Sequence, residues 1–116
     1  MFLLSVCGYP GIENFDPLVL HMERFARNFH AVFAGALLRP AVFSVLLGRK
    51  YPERVRAVMD AARAAGVELV RDGRVSRATF EAAAAEICSA RELVGIANAH
   101  WDRELARSER RVDPPR

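Results

Sequence analysis

The sequence predicts an α/β chain: a partial parallel sheet of two strands in one βαβ unit, followed by a helical C-terminal segment. Three observations predict it. Residues 2–7, FLLSVC, are an apolar run too short for a helix and read as a buried strand. Asp16-Pro17 then opens a helix on which Leu18, Met22, Phe25 and Phe29 recur at helical spacing. Directly after it, residues 30–38, HAVFAGALL, read as a second strand. A crossover of this length makes the two strands parallel and the crossover right-handed.

The elements follow in order. Between the first strand and the first helix, Gly8, Pro10, Gly11 and Asn14 are turn formers. Asp16 suits the N-cap and Pro17 the first helical position. The stripe of Leu18, Met22, Phe25 and Phe29 is the face expected to be buried, with His21, Glu23, Arg24 and Arg27 turned away from it. Arg39-Pro40 ends the second strand, and residues 41–47 read as a short apolar helix before Gly48. Pro52 starts a helix with Val55, Val58, Met59, Ala62 and Ala65 on one face and Gly66 as its stop. Residues 67–71 read equally as a short strand or a linker, and Asp72-Gly73 as a turn. Ser76 caps a helix carrying Phe80, Ala83, Ala84, Ile87 and Cys88, and a last helix holds Leu93, Ile96, Ala97, Trp101 and Leu105. The division expected is one α/β domain over residues 1–106 and a disordered basic tail over residues 107–116.

The 116 residues make one domain at most, and 52% hydrophobic with 27% charged residues excludes general disorder. A net charge of +3 is modest, and most arginines sit beside acids, as in Glu23-Arg24, Glu53-Arg54 and Asp102-Arg103-Glu104. Nucleic-acid binding needs a concentrated basic stripe, which leaves no nucleic-acid partner expected. Cys7 and Cys88 fit no metal-ligand spacing and read as free thiols of a reducing compartment. His21, His30 and His100 share no helical face, so no metal site is expected. The first residues lack a basic region and are too short for a signal segment, and no apolar run reaches membrane-spanning length. A soluble, cytoplasmic protein is the expectation.

No acid/base pair or activated nucleophile stands out, and no residue is assigned a catalytic role. Cys7 has no base at a definable spacing. Arg39 lies at the carboxyl end of the second strand, where it reads as a surface ion pair ahead of a phosphate or carboxylate contact. Trp101 is in register with Leu93, Ile96, Ala97 and Leu105, so core packing comes first and a partner interface second. Asn98 reads as a helix-terminal hydrogen-bond donor.

Four segments in sequence, SVCGYPGIENFDPLVLHMERFARN, FAGALLRP, AAGVELVRDGRVSRATFE and ANAHWD, resemble the C-terminal half of flavodoxin-like NAD(P)H-dependent FMN reductases. The marks are Cys7-Gly8-x-Pro10 after a strand, Gly35 to Pro40 on the next, Gly73-x-Val75-Ser76 at a helix start, and Asn98-x-x-Trp101-Asp102. The resemblance covers about residues 2–105 and implies a flavodoxin-like parallel sheet, of which these strands would be the fourth and fifth. It implies FMN as cofactor and NAD(P)H as hydride donor, with the flavin carrying the chemistry. It also implies that Cys7, Gly8, Tyr9, Pro10 and Gly11 lie against the edge of the flavin ring. The family's phosphate-binding loop belongs to the half that has no counterpart in these residues.

Elementary chemistry agrees with that placement, because a ring edge bearing N and O atoms needs backbone N–H groups close by and glycine permits the approach. No GxGxxG and no Ser/Thr-rich turn after a strand offers a phosphate cradle, so the isolated chain is expected to bind FMN weakly and to be inactive by itself. Two parallel strands do not make a stable sheet alone. The open Leu/Val-rich edge at residues 2–7 therefore predicts a homo-oligomer or a complementary N-terminal half as partner. A non-catalytic module that self-associates through this edge and its helices is the alternative reading.

Overall fold

The computed structural model describes the backbone of residues 1–112 and the side chains of residues 1–109. The chain runs β1 (Leu3–Val6), a 3-10 turn (Ile12–Phe15), α1 (Asp16–Asn28), β2 (Ala36–Arg39) and a second 3-10 turn (Val42–Leu47). It continues through α2 (Pro52–Asp72), α3 (Arg77–Ala84) and α4 (Ala90–Val112). The two strands pair in parallel, from Leu3 opposite Ala36 to Val6 opposite Arg39, as the βαβ pattern predicts. Helix and strand are mixed, and the sheet has two strands.

The second strand is half the expected length because α1 spends the residues before it on its own termination. His30 adopts the left-handed conformation, φ 53°. Its N–H donates to Arg27 O at 3.1 Å, and the Ala31 N–H to Ala26 O at 2.9 Å. That pair of bonds closes a Schellman motif with histidine where glycine is usual. Gly35, at φ 104°, then redirects the chain, and β2 begins only at Ala36. At the other end of α1 the 3-10 turn moves the cap to Phe15, so Asp16 lies inside the helix and makes no capping bond. The buried line of this segment is Phe15 and Ala26, with Val19 and Met22 half-buried between them. Of the expected stripe, Leu18, Phe25 and Phe29 are 37%, 40% and 66% exposed, because the sheet accepts only one edge of a broad apolar face.

The core lies where α2 and α3 meet β2, with Leu37, Ala61, Ala65 and Ala83 buried and Phe2, Ala62 and Val75 packed against them. Gly66 does not stop α2, which continues to Asp72 and terminates on Gly73 at φ 69°. Residues 67–71 are therefore helix, neither strand nor linker. A solvent-facing glycine costs a helix about 1 kcal/mol relative to alanine, which the packing on either side of Gly66 outweighs. Ala65 is buried before it, and after it Glu68 accepts from the Ser76 N–H at 2.7 Å and from Thr79 Oγ1 at 2.6 Å. Ser76 caps α3 as expected, accepting from the Thr79 N–H at 3.3 Å. Helix α3 ends at Ala84, so Ile87 and Cys88 sit in the irregular segment after it, yet they are 1% and 6% exposed.

Helix α4 leaves the body. Its first turn is held by Glu92, which meets Lys50 Nζ at 2.5 Å and accepts from Tyr51 Oη at 2.7 Å. Beyond that, Ile96, Trp101 and Leu105 are 41%, 62% and 60% exposed, so the core role expected for Trp101 is corrected. Twenty-three residues span about 34 Å of helix. This arm gives the molecule a longest dimension of 65 Å and a radius of gyration of 18.7 Å. A compact chain of 100 residues has about 13 Å. Residues 107–112, expected in a disordered tail, complete α4, and residues 113–116 of that expectation lie outside the described residues. No helix among the described residues is long and apolar enough to cross a membrane.

Candidate functional site

The turn at Cys7–Gly11 stands at the carboxyl end of β1, stapled to the residues that follow β2. The Cys7 N–H donates to Arg39 O at 3.0 Å, and the Val42 N–H to Cys7 O at 2.9 Å. The Ala41 N–H donates to Tyr9 O at 2.8 Å. Ala41 is held at φ 49°, a left-handed conformation that costs a non-glycine residue of order 1–2 kcal/mol and is paid for by those staples. Cys7 Sγ accepts the Tyr9 N–H at 3.4 Å, and Gly11 O accepts from Asn14 Nδ2 at 2.8 Å. Cys7 and Cys88 are both free thiols, with Cys88 buried and its thiol pushed up by that burial.

Two glycines in the turn have different surroundings. A Cβ at Gly8 would stand 3.2 Å from the Phe43 ring, so the glycine lets the turn lie against the second 3-10 turn. A Cβ at Gly11 would fall on the Glu13 carboxylate. Tyr9 is 73% exposed, so it covers nothing within the protomer. The turn thus presents a rigid backbone edge and one open aromatic ring. Among the described residues it has no cluster of side-chain donors for a phosphate. A whole flavin mononucleotide does not fit these residues by themselves.

Arg39 belongs to the scaffold. At 9% exposure it is buried, and its Nη1 donates to Ala83 O at 3.0 Å and Ala85 O at 2.7 Å while its Nη2 donates to Ser44 Oγ at 3.1 Å. The guanidinium caps the carboxyl end of α3, where unpaired carbonyls and the helix dipole favour a cation. Burial pushes its pKa down, and the electrostatic influence of Cys88 opposes this. The surface ion pair and the phosphate contact expected for Arg39 are both corrected: the side chain turns inward because α3 packs directly on β2.

Each face of the sheet carries an open apolar groove. One, of about 680 Å³, runs between α1 and α3, with Val19, Phe33, Leu38 and Phe80 in its walls and Asp16 and Arg77 at its rim. The other, about 460 Å³, is walled by Leu4 and Val6 of β1, Phe43 and Leu46 of the second 3-10 turn, and Met59 of α2. Leu4, Val6, Phe43 and Leu46 are 70%, 58%, 63% and 80% exposed. Parallel sheets normally have both faces covered, so these grooves mark where cover is absent within one protomer. Among the described residues no three His, Cys, Asp or Glu side chains converge as metal ligands would.

Sequence reasoning placed the turn and the open edge but missed Ser44, fully buried under Arg39, and Ala41, whose strain needs the staples to Cys7 and Tyr9 to be seen. Comparison with protein-family models, with curated proteins and with solved structures finds no match for this chain.

Proposed function

We propose that this chain is an assembly module: one half of a flavodoxin-like parallel sheet, which self-associates by pairing the free edge of β1 with that of a second copy. The single observation that carries this reading is the direction of the β1 backbone. Leu3 N–H and Cys7 N–H both bond to the β2 side, at Gly35 O and Arg39 O. In a parallel ladder alternate residues face one neighbour, so the N–H and C=O groups of Leu4 and Val6 face away from β2. Among the described residues β1 has no second strand beside it. Antiparallel pairing about a twofold axis at Ser5 sets Leu4 opposite the partner's Val6, satisfies these groups and gives a four-stranded sheet. The groove walled by Leu4 and Val6 gains cover in the same step.

Light scattering tests it. The full chain is expected to run well above its protomer mass of 12.9 kDa. Val6→Pro removes an outward N–H only, and proline is tolerated on an edge, so it leaves the β2 ladder intact while lowering the assembled mass. Unchanged mass in Val6→Pro sinks edge pairing.

A second reading rests on the turn at Cys7–Gly11. Its stapled backbone and exposed Tyr9 support a contribution to a flavin edge, with the phosphate held by another chain, as the resemblance to FMN reductases implies. Titration of FMN against the assembled protein, followed by flavin fluorescence, is expected to show weak quenching. A complementary half carrying a phosphate loop is expected to make it tight and saturable, and a null titration with such a half present removes the flavin reading.

A further inference from the structure

Arg39 serves the scaffold with two of its guanidinium nitrogens and leaves the third unused. Nη1 donates to Ala83 O and Ala85 O, and Nη2 to Ser44 Oγ. Nε is buried and has no acceptor among the described residues. The acceptors that Arg39 does have are neutral, two carbonyls and a hydroxyl. No ion pair among the described residues includes it. The residue is therefore a cation only 9% exposed, with an unspent N–H and no counter-charge. Both omissions are costly, because buried charges are ordinarily paired and buried donors ordinarily bonded.

Both needs point to one place. Arg39 stands in the wall of the groove of about 460 Å³ and is the one charged residue there. Ala83, whose carbonyl holds Nη1, is in the same wall, and so are Phe43 and Val45 on either side of Ser44. The rest of the wall is apolar, as in sites for small molecules, whose volumes run from about 300 to 1,000 Å³. What Arg39 has left sets the chemistry of the occupant. One positive charge asks for one negative charge. With Nη1 spent on α3 and Nη2 engaged by Ser44, the remaining donors suffice for a carboxylate and are too few for the several oxygens of a phosphate.

We propose that this groove binds an apolar monocarboxylic acid, its carboxylate accepting from Arg39 Nε and its hydrocarbon body lying along Leu4, Val6, Leu46 and Met59. Nε is closed off from solvent, so the head group enters by parting the wall at its loosest members. These are Phe43 and Leu46 of the second 3-10 turn, 63% and 80% exposed. Every wall belongs to one protomer, so the site depends neither on edge pairing nor on a flavin.

The test is a titration of the full chain with sodium octanoate, below its micellar range and at neutral pH. Calorimetry and isotope-labelled methionine methyl signals follow it. The sequence has three methionines, of which Met59 stands in the groove wall and Met22 does not. Binding is expected to saturate at one acid per protomer and to move the Met59 signal while Met22 stays in place. Octanol, the same chain without the charge, is expected to bind roughly tenfold or more weakly. A groove without a cation reverses that order, because a carboxylate loses more hydration than a hydroxyl. Arg39→Met is expected to reverse it in the same way. Leu46→Glu, at an exposed position of the wall, keeps the test open should Arg39→Met fail to fold. It sets a like charge at the mouth and weakens octanoate roughly tenfold.

Val6→Pro, whose β1 edge is closed to pairing, is titrated alongside. Binding in Val6→Pro alone supports the site and places the assembly over it. No saturable octanoate binding in either chain overturns the proposal. So does octanol that binds as tightly as octanoate, a Met59 signal that stays in place, or a Leu46→Glu chain of unchanged affinity. The assembled mass, read separately by light scattering, decides edge pairing without reference to the acid.

Discussion

The corner where α2, α3 and β2 meet and the arm formed by α4 are built from similar residues to opposite ends. In the corner, alanines at 61, 65 and 83 are buried and let backbones come close, and two polar devices lock the approach. Arg39 reaches from β2 into the end of α3, and Glu68 reaches from α2 to its start. The arm also carries alanines and larger apolar residues, yet beyond its first turn Val94, Ile96, Trp101 and Leu105 are 53%, 41%, 62% and 60% exposed. Apolar content therefore does not say whether a helix is core. The polar residues that tie it to a neighbour do, and the tie of α4 to the body is at Glu92.

That comparison can be broken or sharpened by substitution. The largest effect is expected from Ile87→Ala, which empties a site 1% exposed and costs about 2–5 kcal/mol, measured by urea unfolding. Arg39→Met comes next, at about 2–4 kcal/mol. It keeps the bulk of the side chain while leaving the carbonyls of Ala83 and Ala85 without their donor. An Arg39→Met chain as stable as the parent would show that the inward turn of this residue holds nothing together. Ser76→Ala, which removes the α3 cap, is expected to cost about 1 kcal/mol.

Acid acts on both regions at once. Hydrogen bonds from Thr79 and Ser76 hold the Glu68 carboxyl below its ordinary value of 4.5, and Lys50 and Tyr51 do the same for Glu92. A depressed folded-state pKa stabilises above the unfolded value and loses that contribution as pH falls through the folded one. The unfolding midpoint is expected to hold from neutral pH down to about 5 and to drop below about 4.5. Glu68→Gln with Glu92→Gln flattens that drop, and an unaltered profile in the double variant refutes the assignment. Least affected is Leu105→Ala, at about 0.5 kcal/mol or less for the protomer, since the side chain is 60% exposed. A large loss there would mean that the arm folds back on the body.

Much of the architecture was legible in the residues, and the failures have physical causes. The parallel pair, the Ser76 cap and a chain reversal at Asp72-Gly73, read as a turn and found to be the end of α2, rest on patterns that neighbours seldom override. Gly66 failed as a stop because a helix boundary depends on what the next turn touches, and Glu68 sits in that turn. The second strand came out short because His30 closes α1 in a conformation that glycine usually signals. The stripe on α1 was seen but its buried edge was not, since only the sheet decides which part of a wide apolar face it accepts. At the candidate site, the turn at Cys7–Gly11 could be found from its glycines and proline. Arg39 was placed correctly and read wrongly, because its partners are backbone carbonyls more than forty residues away and carry no sequence mark.

Lys50 is the only lysine in the chain, so the protein has one side-chain amine. It stands at the root of α4, 63% exposed and bonded to Glu92, with its pKa raised by that carboxylate and by Tyr51. Acylation there abolishes one positive charge and leaves Glu92 held by Tyr51 alone. A single covalent mark on one atom would therefore loosen the arm at its hinge and leave the buried corner untouched.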